Sequence, residues 1–267
     1  NDADWAVRAT LVEALDRNGQ QGAAAALIDG GRADVPPVLA MRRAELFADG
    51  GDLAGAAKLA ETAAAGDAPR SLLVRLADIA QRSEDPKSAA RAYERLEAAL
   101  EDSEGDQILR GSLLIARAEL HLQAGEWDAA APLMERAVAL RPNDAAVLNF
   151  AGYSALERRK DVEKSLARIE AAWRQEPQNA SITDSLGWAY FLTGRTDDAV
   201  ALLEKAQAGE PANAVIVEHL GDAYWQAGRK FQARYTWRAA ALLAEAEMAT
   251  RLAAKLRDGL TPATTAP

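Results

Sequence analysis

The sequence predicts an all-α fold, a superhelical solenoid of about seven helix-turn-helix repeats followed by one capping helix. Three observations predict it. Hydrophobic residues make up 49% of the chain but aromatic residues only 6%, and the abundance of alanine favours closely packed helices. The motif Leu-Gly-x-x-Tyr begins at Leu186 and again at Leu220, a period of 34 residues. Each repeat contains two helical apolar patterns separated by a turn.

The repeat signature is strongest in the second half of the chain. The unit that contains Leu186 continues through Gly194 and Ala199 and ends before Pro211. The unit before it is one residue longer, and the extra residue falls in the charged turn 157–161, where insertions are tolerated. Further upstream only a pattern of small residues remains, so the earlier repeats are defined more weakly.

Each junction between these repeats combines a proline with an asparagine. The proline cannot continue the preceding helix, and the asparagine is expected to cap the next one. The pairs are Pro142 with Asn143, Pro177 with Asn179, and Pro211 with Asn213. Inside each repeat, small residues should let two helix backbones approach closely. They are Gly187 with Ala199 and Gly221 with Ala233.

We expect one superhelix over residues 1–260, with repeats that start near 5, 37, 70, 111, 145, 180 and 214. Because stacked repeats need a polar end, the last helix, at 246–259, is expected to turn Arg251, Lys255 and Arg257 toward solvent. The acidic stretch 101–106 is expected to be a surface loop. The tail 261–267 has no apolar periodicity and is expected to be disordered.

The order of Leu-Gly-x-x-Tyr, turn glycine, alanines and proline resembles the tetratricopeptide repeat (TPR) family over nearly the whole chain. The resemblance implies a scaffold that binds proteins or peptides and is not an enzyme. In that family the first helix of each repeat lines a concave groove. By position, the partner-binding residues would be Asn149, Tyr153, Asp184, Trp188, Phe191, Glu218, Asp222 and Trp225. The alternative is that Trp188, Phe191 and Trp225 are packed between neighbouring helices.

The acidic residues among these positions bear on the expected partner. Some TPR proteins hold the C-terminal carboxylates of chaperones with Lys and Asn in the groove. Here the equivalent positions carry Asp184 and Glu218, which would repel a carboxylate. A partner segment with apolar and basic side chains is therefore expected.

A narrower resemblance covers 184–190 and 219–225, with the following Gly-Arg and Trp237. These segments are similar to the C-terminal repeats of bacterial outer-membrane TPR lipoproteins, some of which recruit envelope proteases or assembly complexes. The resemblance implies a periplasmic protein, anchored to the outer membrane through an N-terminal lipidated cysteine that this sequence does not contain. Because the sequence starts at Asn1 without methionine, we expect a processed chain or a piece of a longer one. The alternative location is the cytoplasm.

Composition and motifs argue against other functions. A net charge of −9 disfavours nucleic acid and direct binding to an anionic membrane. There is no cysteine, no nucleotide-binding glycine motif, and no zinc spacing between His121 and His219, so no metal or cofactor is expected. We expect His121 to be a packing residue and His219 to bond a neighbouring helix or to line the edge of the groove. Two alternatives remain: a self-associating structural protein, and the regulatory arm of an enzyme whose catalytic domain lies outside this chain.

Overall fold

The computed structural model describes residues 2–29, 34–262, 264 and 265. Those residues contain fifteen α-helices and no strand, so the all-α prediction is confirmed. The chain divides into two compact units, Asn1–Ala130 and Ala131–Pro267, which are described separately below.

In the first unit, helices joined by short turns pack in pairs around a core rich in alanine and leucine. The helices are α1 (Asp2–Arg17), α2 (Gln21–Asp29), α3 (Pro37–Asp49), α4 (Leu53–Ala63), α5 (Arg70–Arg82), α6 (Pro86–Ala98) and α7 (Glu104–Gln123). Ion pairs connect one helix pair to the next at the protein surface. Arg42 binds Asp16 of α1 at 2.5 Å, and Arg75 in turn binds Glu45 of α3 at 2.5 Å.

The acidic stretch 101–106 is exposed from 101 to 105, as expected, but only residues 101–103 form a loop and the rest belongs to a helix. The hydroxyl of Ser103 accepts a hydrogen bond from the backbone N–H of Asp106 at 3.1 Å and caps α7, which therefore begins at Glu104. Asp106 is buried, accepts a hydrogen bond from the backbone N–H of Glu101 at 2.7 Å and pairs with Arg70. Because Ser103 caps the helix, α7 begins at Glu104, before the repeat start that was predicted near residue 111.

Helix α8 (Trp127–Leu140) leads into the second unit, whose helices again pack in consecutive pairs. They are α9 (Ala145–Glu157), α10 (Val162–Gln175), α11 (Ala180–Leu192), α12 (Thr196–Gly209), α13 (Ala214–Gln226), α14 (Lys230–Ala241) and α15 (Ala246–Asp258). Asn179 and Asn213 cap α11 and α13 as predicted. At the earlier junction the cap is Asp144 instead of Asn143, because the side chain of Asp144 reaches the N–H of Val147 at 2.9 Å.

The turns inside the repeats explain the glycine pattern. Gly194 and Gly228 have φ angles of 83° and 79°, a left-handed conformation that costs glycine little. The longer turn between α9 and α10 lacks a glycine. There Arg159 and Asp161 adopt φ angles of 52° and 43° instead, which locates the extra residue of that repeat in the predicted turn.

One polar contact recurs with the sequence period. The hydroxyl of Tyr190 donates to Glu170 at 3.2 Å, and the guanidinium of Arg195 lies over the tyrosine ring at 3.6 Å. The same contact is made 34 residues later by Tyr224, Glu204 and Arg229. It ties the first helix of each repeat to the second helix of the repeat before it.

Gly187 and Gly221 stand where a helix meets the second helix of its own repeat. A Cβ atom built on Gly221 would lie 2.3 Å from Cδ1 of Trp237, and one on Gly187 would lie 2.7 Å from Cγ of Leu203. Both distances are far below van der Waals contact. The prediction that these glycines permit close packing is therefore confirmed.

Gly221→Ala should consequently lower the free energy of unfolding by about 1–3 kcal/mol, because the buried indole of Trp237 cannot move without disturbing the core. Urea unfolding followed by circular dichroism measures the change. Gly105→Ala is the matched control: a Cβ there meets nothing within 4 Å, so the helix should be unchanged or slightly stabilised. Equal losses in the two variants would contradict the packing argument.

The end of the chain folds back beyond α15. The hydroxyls of Thr264 and Thr265 hydrogen-bond to Thr261, at 3.3 Å and 2.9 Å to its carbonyl oxygen. Residues 263, 266 and 267 of the expected disordered tail lie outside the described residues. None of the described helices has the length and apolar character needed to cross a membrane.

Candidate functional site

The centre of the second unit is an aromatic stack on α11. Trp188 has no exposed surface. Its ring is stacked on Phe191, with centroids 4.5 Å apart, and on the imidazole of His219 from α13, at 4.1 Å. The indole N–H of Trp188 has no hydrogen-bond partner within the described part of the chain. The stack therefore fills the space between consecutive repeats.

His219 is held in this stack by a carboxylate from the preceding repeat. Its Nδ1 lies 3.0 Å from each carboxylate oxygen of Asp184, and both side chains are buried. Burial alone lowers the pKa of His219, but the charge and hydrogen bond of Asp184, helped by Asp222 and Glu218, raise it above its ordinary value. The expectation that His219 bonds a neighbouring helix is confirmed.

This pair predicts a pH dependence of stability. Because the pKa of folded His219 is raised, the stabilisation is complete below the unfolded pKa of about 6.5 and is lost as the pH rises through the folded pKa. Urea midpoints should therefore fall as the pH is raised above about 6.5. The control is His219→Asn, which is less stable throughout but should lose this slope. An unchanged slope in the variant would assign the titration to another group.

A second buried cluster joins α13 to α15. The ammonium of Lys255, with no exposed surface, lies 2.7 Å from Glu218 and 2.7 Å from Asp222. The guanidinium of Arg251 donates two hydrogen bonds to Glu218, at 2.9 Å and 2.7 Å. The indole N–H of Trp237 donates a hydrogen bond to Asp222 at 2.8 Å. Burial alone raises the pKa of Glu218, but the two cations outweigh it and lower that pKa. Two acids and two bases thus neutralise one another between α13 and α15, with Glu218, Asp222 and Lys255 buried and Arg251 partly exposed.

The expectation that the last helix turns its charges to solvent is therefore wrong for two of its three cations. Arg251 and Lys255 point inward, and only Arg257 is exposed, beside Asp258. A signal was present in the sequence. Glu218 and Asp222 are four residues apart on one helix, and Arg251 and Lys255 are four apart on another, so each pair shares one helix face.

The repeats seen in this packing match a known family. A sequence model of the tetratricopeptide repeat covers residues 81–247, more than half of the chain. The chain belongs to the tetratricopeptide repeat family. Among curated protein sequences, none matches it significantly.

Solved structures share the TPR fold at low sequence identity. A TPR protein from Parabacteroides merdae is 14% identical, with a TM-score of 0.65 over 96% of this chain and 98% of the other. A thermophilic TPR protein from Thermus thermophilus is 22% identical, with a TM-score of 0.56 over 70% and 99%. YrrB, described as a TPR protein with an unusual peptide-binding site, is 19% identical, with a TM-score of 0.50 over 66% and 87%. At these identities the likeness establishes the fold.

Within the TPR fold, most of the predicted groove residues lie in the interior. Five are buried: Asp184, Trp188, Phe191, Glu218 and Asp222. The expectation that these side chains are exposed for a partner is corrected, and the alternative of packing between helices holds for Trp188 and Phe191. The physical reason is that consecutive repeats and α15 cover the first helices of the last two repeats.

The other three predicted residues are half-buried. Asn149 has a buried side-chain oxygen without a hydrogen-bond partner among the described residues. Tyr153 lies against Glu157, and burial raises the pKa of both groups. Trp225 is covered on one side by the backbone of Gly259, where a Cβ atom would lie 2.2 Å from the indole, and on another by Lys230. The TPR chain thus places its own C-terminal segment against this tryptophan.

The internal pairing also changes the expected character of the partner. An apolar and basic partner was expected because the groove positions carry carboxylates. Asp184 is paired with His219, and Glu218 and Asp222 are paired with Lys255. None of these carboxylates is exposed to attract a basic ligand, so the argument for that partner no longer applies.

Among the described residues, no group of three or more His, Asp or Glu side chains is arranged to hold a metal ion. His121 is half-buried, and its Nδ1 forms a hydrogen bond with the Glu126 carboxylate at 2.7 Å across the turn that follows α7. The expectation that it is a packing residue is therefore met only in part. Asp197 and Asp198 lie in the first turn of α12, as expected for residues that favour a helix N-terminus.

Proposed function

We propose that this TPR protein is a non-catalytic scaffold that binds a partner protein or peptide. The observation that carries the proposal is how the repeats use their polar side chains. Each buried ionised group of the second unit described above forms an ion pair with another side chain of the same unit. Examples are the pairs of His219 with Asp184 and of Lys255 with Glu218. Such groups hold repeats together, whereas catalytic acids and bases must reach a substrate.

The family supports the same conclusion. TPR proteins are generally scaffolds that bind proteins, because stacked helical repeats expose long continuous surfaces. YrrB, which shares the fold, is described as having a peptide-binding site. The function therefore depends on the surfaces that the repeats leave uncovered.

We further propose that the partner is a protease or an assembly complex of the bacterial cell envelope. The support is the resemblance of segments 184–190 and 219–225 to outer-membrane TPR lipoproteins. A location in the cytoplasm is the competing possibility, and the experiment below separates the two.

The test is affinity capture on the purified chain, run in parallel on envelope and cytoplasmic fractions of the source cells. Excess free, folded chain is the control, because it should compete a specific client off the resin but leave non-specifically bound proteins in place. We expect one client, competed in this way and recovered from the envelope fraction. Calorimetric titration of the purified client should then show saturable binding.

Three other results would contradict parts of the proposal. A client found only in the cytoplasmic fraction would overturn the envelope location but keep the scaffold. Capture of copies of the chain alone, with light scattering that depends on concentration, would favour a self-associating structural protein. Absence of any competed protein from both fractions would overturn the scaffold function.

A further inference from the structure

Helix α14 leaves large apolar side chains in solvent. Phe231 is 85% exposed and Tyr235 is 69% exposed, and Leu242, just after the helix, is 88% exposed. Together with Arg238 they are spaced by four, three and four residues, which places all four on one side of the helix. We call these four residues the α14 stripe. Scattered apolar residues are normal on a surface, but three large exposed apolar side chains grouped on one side of a helix, with Arg238 among them, indicate an interface.

A groove runs beside the α14 stripe. It has a volume of about 410 Å³ and lies between α14 and the preceding helices α12 and α13. Six of its lining residues are apolar or aromatic and three, Gln207, Gln232 and Thr236, are polar. The apolar and aromatic ones are Val217, Leu220, Tyr224, Phe231, Tyr235 and Ala239. The stripe and the groove therefore form one continuous surface, with protruding aromatic rings next to a depression of a size that apolar side chains can fill.

The charges around this surface have one sign. Lys230, Arg234 and Arg238 follow one another at intervals of four residues, and α14 contains no acidic residue. The ammonium of Lys230 lies 3.7 Å from the centre of the Trp225 ring, and Arg234 lies 5.0 Å from it. In the described part of the chain, the ion pairs of this region involve Arg229, Arg251, Lys255 and Arg257, and none involves these three cations. They form a basic row that borders the α14 stripe and shares Arg238 with it.

From this juxtaposition we infer that the α14 stripe and its groove bind an amphipathic helix of the partner protein, with apolar residues on one face and carboxylates on its border. The inference rests on the proposed scaffold function and names the surface and the chemistry of the partner. Two helices that pack side by side bury side chains spaced three and four residues apart, which is the spacing of the α14 stripe. Carboxylates on the border would meet Arg238 and Arg234, which at present have no acidic partner.

A second copy of this chain fits the surface less well. Pairing α14 with itself would bring two basic rows together without any carboxylate on either helix, and like charges in contact are unfavourable. The net charge of −9 on the whole chain does not prevent an acidic partner from binding. At physiological ionic strength, interactions between charges more than about 8 Å apart are largely screened. The nearby basic row therefore determines whether this surface attracts an acidic partner.

The test uses two synthetic helical peptides of about sixteen residues, long enough to form a helix that covers the stripe. Both carry the same apolar face. One has glutamates on its border, and the other has lysines at the same positions. Fluorescence anisotropy measures binding to the full chain. We expect the acidic peptide to bind at least about tenfold more tightly than the basic one, with a preference that falls as salt is added.

Three variants assign this binding to the α14 stripe. Phe231→Ala and Tyr235→Ala should each weaken the acidic peptide about tenfold or more, because exposed aromatic rings are typical binding anchors. Arg238→Glu should remove the preference for the acidic peptide. Lys87→Glu is the matched control, since it makes the same charge change at an exposed site on α6 and should leave binding unchanged. All four side chains are exposed, so unchanged melting temperatures confirm that folding is intact.

Several results would overturn the inference. Equal binding of both peptides, or equal effects of Arg238→Glu and Lys87→Glu, would show that the basic row does not select the partner. Sedimentation that reveals a dimer lost in Tyr235→Ala would identify a second copy as the occupant. Binding to vesicles with anionic lipids that Phe231→Ala abolishes would identify a membrane. If the captured client binds the variants as well as it binds the unchanged chain, the scaffold function stands and the α14 stripe is not its site.

Discussion

Lys255→Met should destabilise the second unit by about 3–5 kcal/mol, one of the largest effects expected for a single substitution in this chain. Lys255 is fully buried between Glu218 and Asp222, at 2.7 Å from each. Methionine fills a similar volume but removes the ammonium that lies next to both oxygens of the buried Asp222 carboxylate. Urea unfolding followed by tryptophan fluorescence measures the loss, because Trp237 donates to the same carboxylate.

Two further variants show whether charge is the cause. Lys58→Met removes an exposed lysine of α4 and should change the stability by no more than about 0.5 kcal/mol. Asp222→Asn combined with Lys255→Met removes both charges and should recover at least about 1 kcal/mol relative to Lys255→Met alone. The opposite result is that adding Asp222→Asn to Lys255→Met lowers the free energy of unfolding further. In that case the packing of the lysine side chain matters more than its charge.

Trp188→Ala should cost about 3–5 kcal/mol and should lower the melting temperature of the second unit. The side chain has no exposed surface and is stacked on Phe191 and His219, so its removal leaves a cavity between two repeats. Thermal unfolding followed by circular dichroism gives the loss. Below the melting temperature, binding to a captured client should be retained, because the tryptophan does not reach the surface.

Phe231→Ala is the counterpart of this substitution. It removes an aromatic ring that is 85% exposed and should leave the stability within about 0.5 kcal/mol of the unchanged chain. The two variants thus separate interior from surface aromatics. A Trp188→Ala chain that melts normally but no longer holds its client would show that the tryptophan is a partner contact after all.

The fold was predictable because its determinants are local and periodic. Asn179 caps a helix through its own side chain, Gly194 is in a left-handed turn, and Gly221 permits a contact within its own repeat. Such features depend on residues close in sequence. The prediction placed the cap of α9 at Asn143, one residue before the actual cap, Asp144. Asparagine and aspartate are both good caps, and only the backbone geometry distinguishes the two positions.

The candidate site was less predictable because exposure depends on elements far along the chain. Glu218 was expected to line the groove from its position in the repeat, but Arg251 and Lys255, 33 and 37 residues later, cover it. Position within a repeat does not reveal what packs against that position. For the same reason Phe231 and Tyr235 were missed, since helical spacing alone does not say which face the neighbouring repeats leave open.

The pairing of α13 with α15 also has a consequence for how the chain is made. Glu218 and Asp222 leave the ribosome before the two cations that neutralise them, Arg251 and Lys255. Until those cations arrive, burying α13 would enclose two carboxylates without the ammonium and guanidinium groups that lie beside them in the folded structure. We therefore expect α13 to stay hydrated during synthesis until α15 has been made and can pack against it.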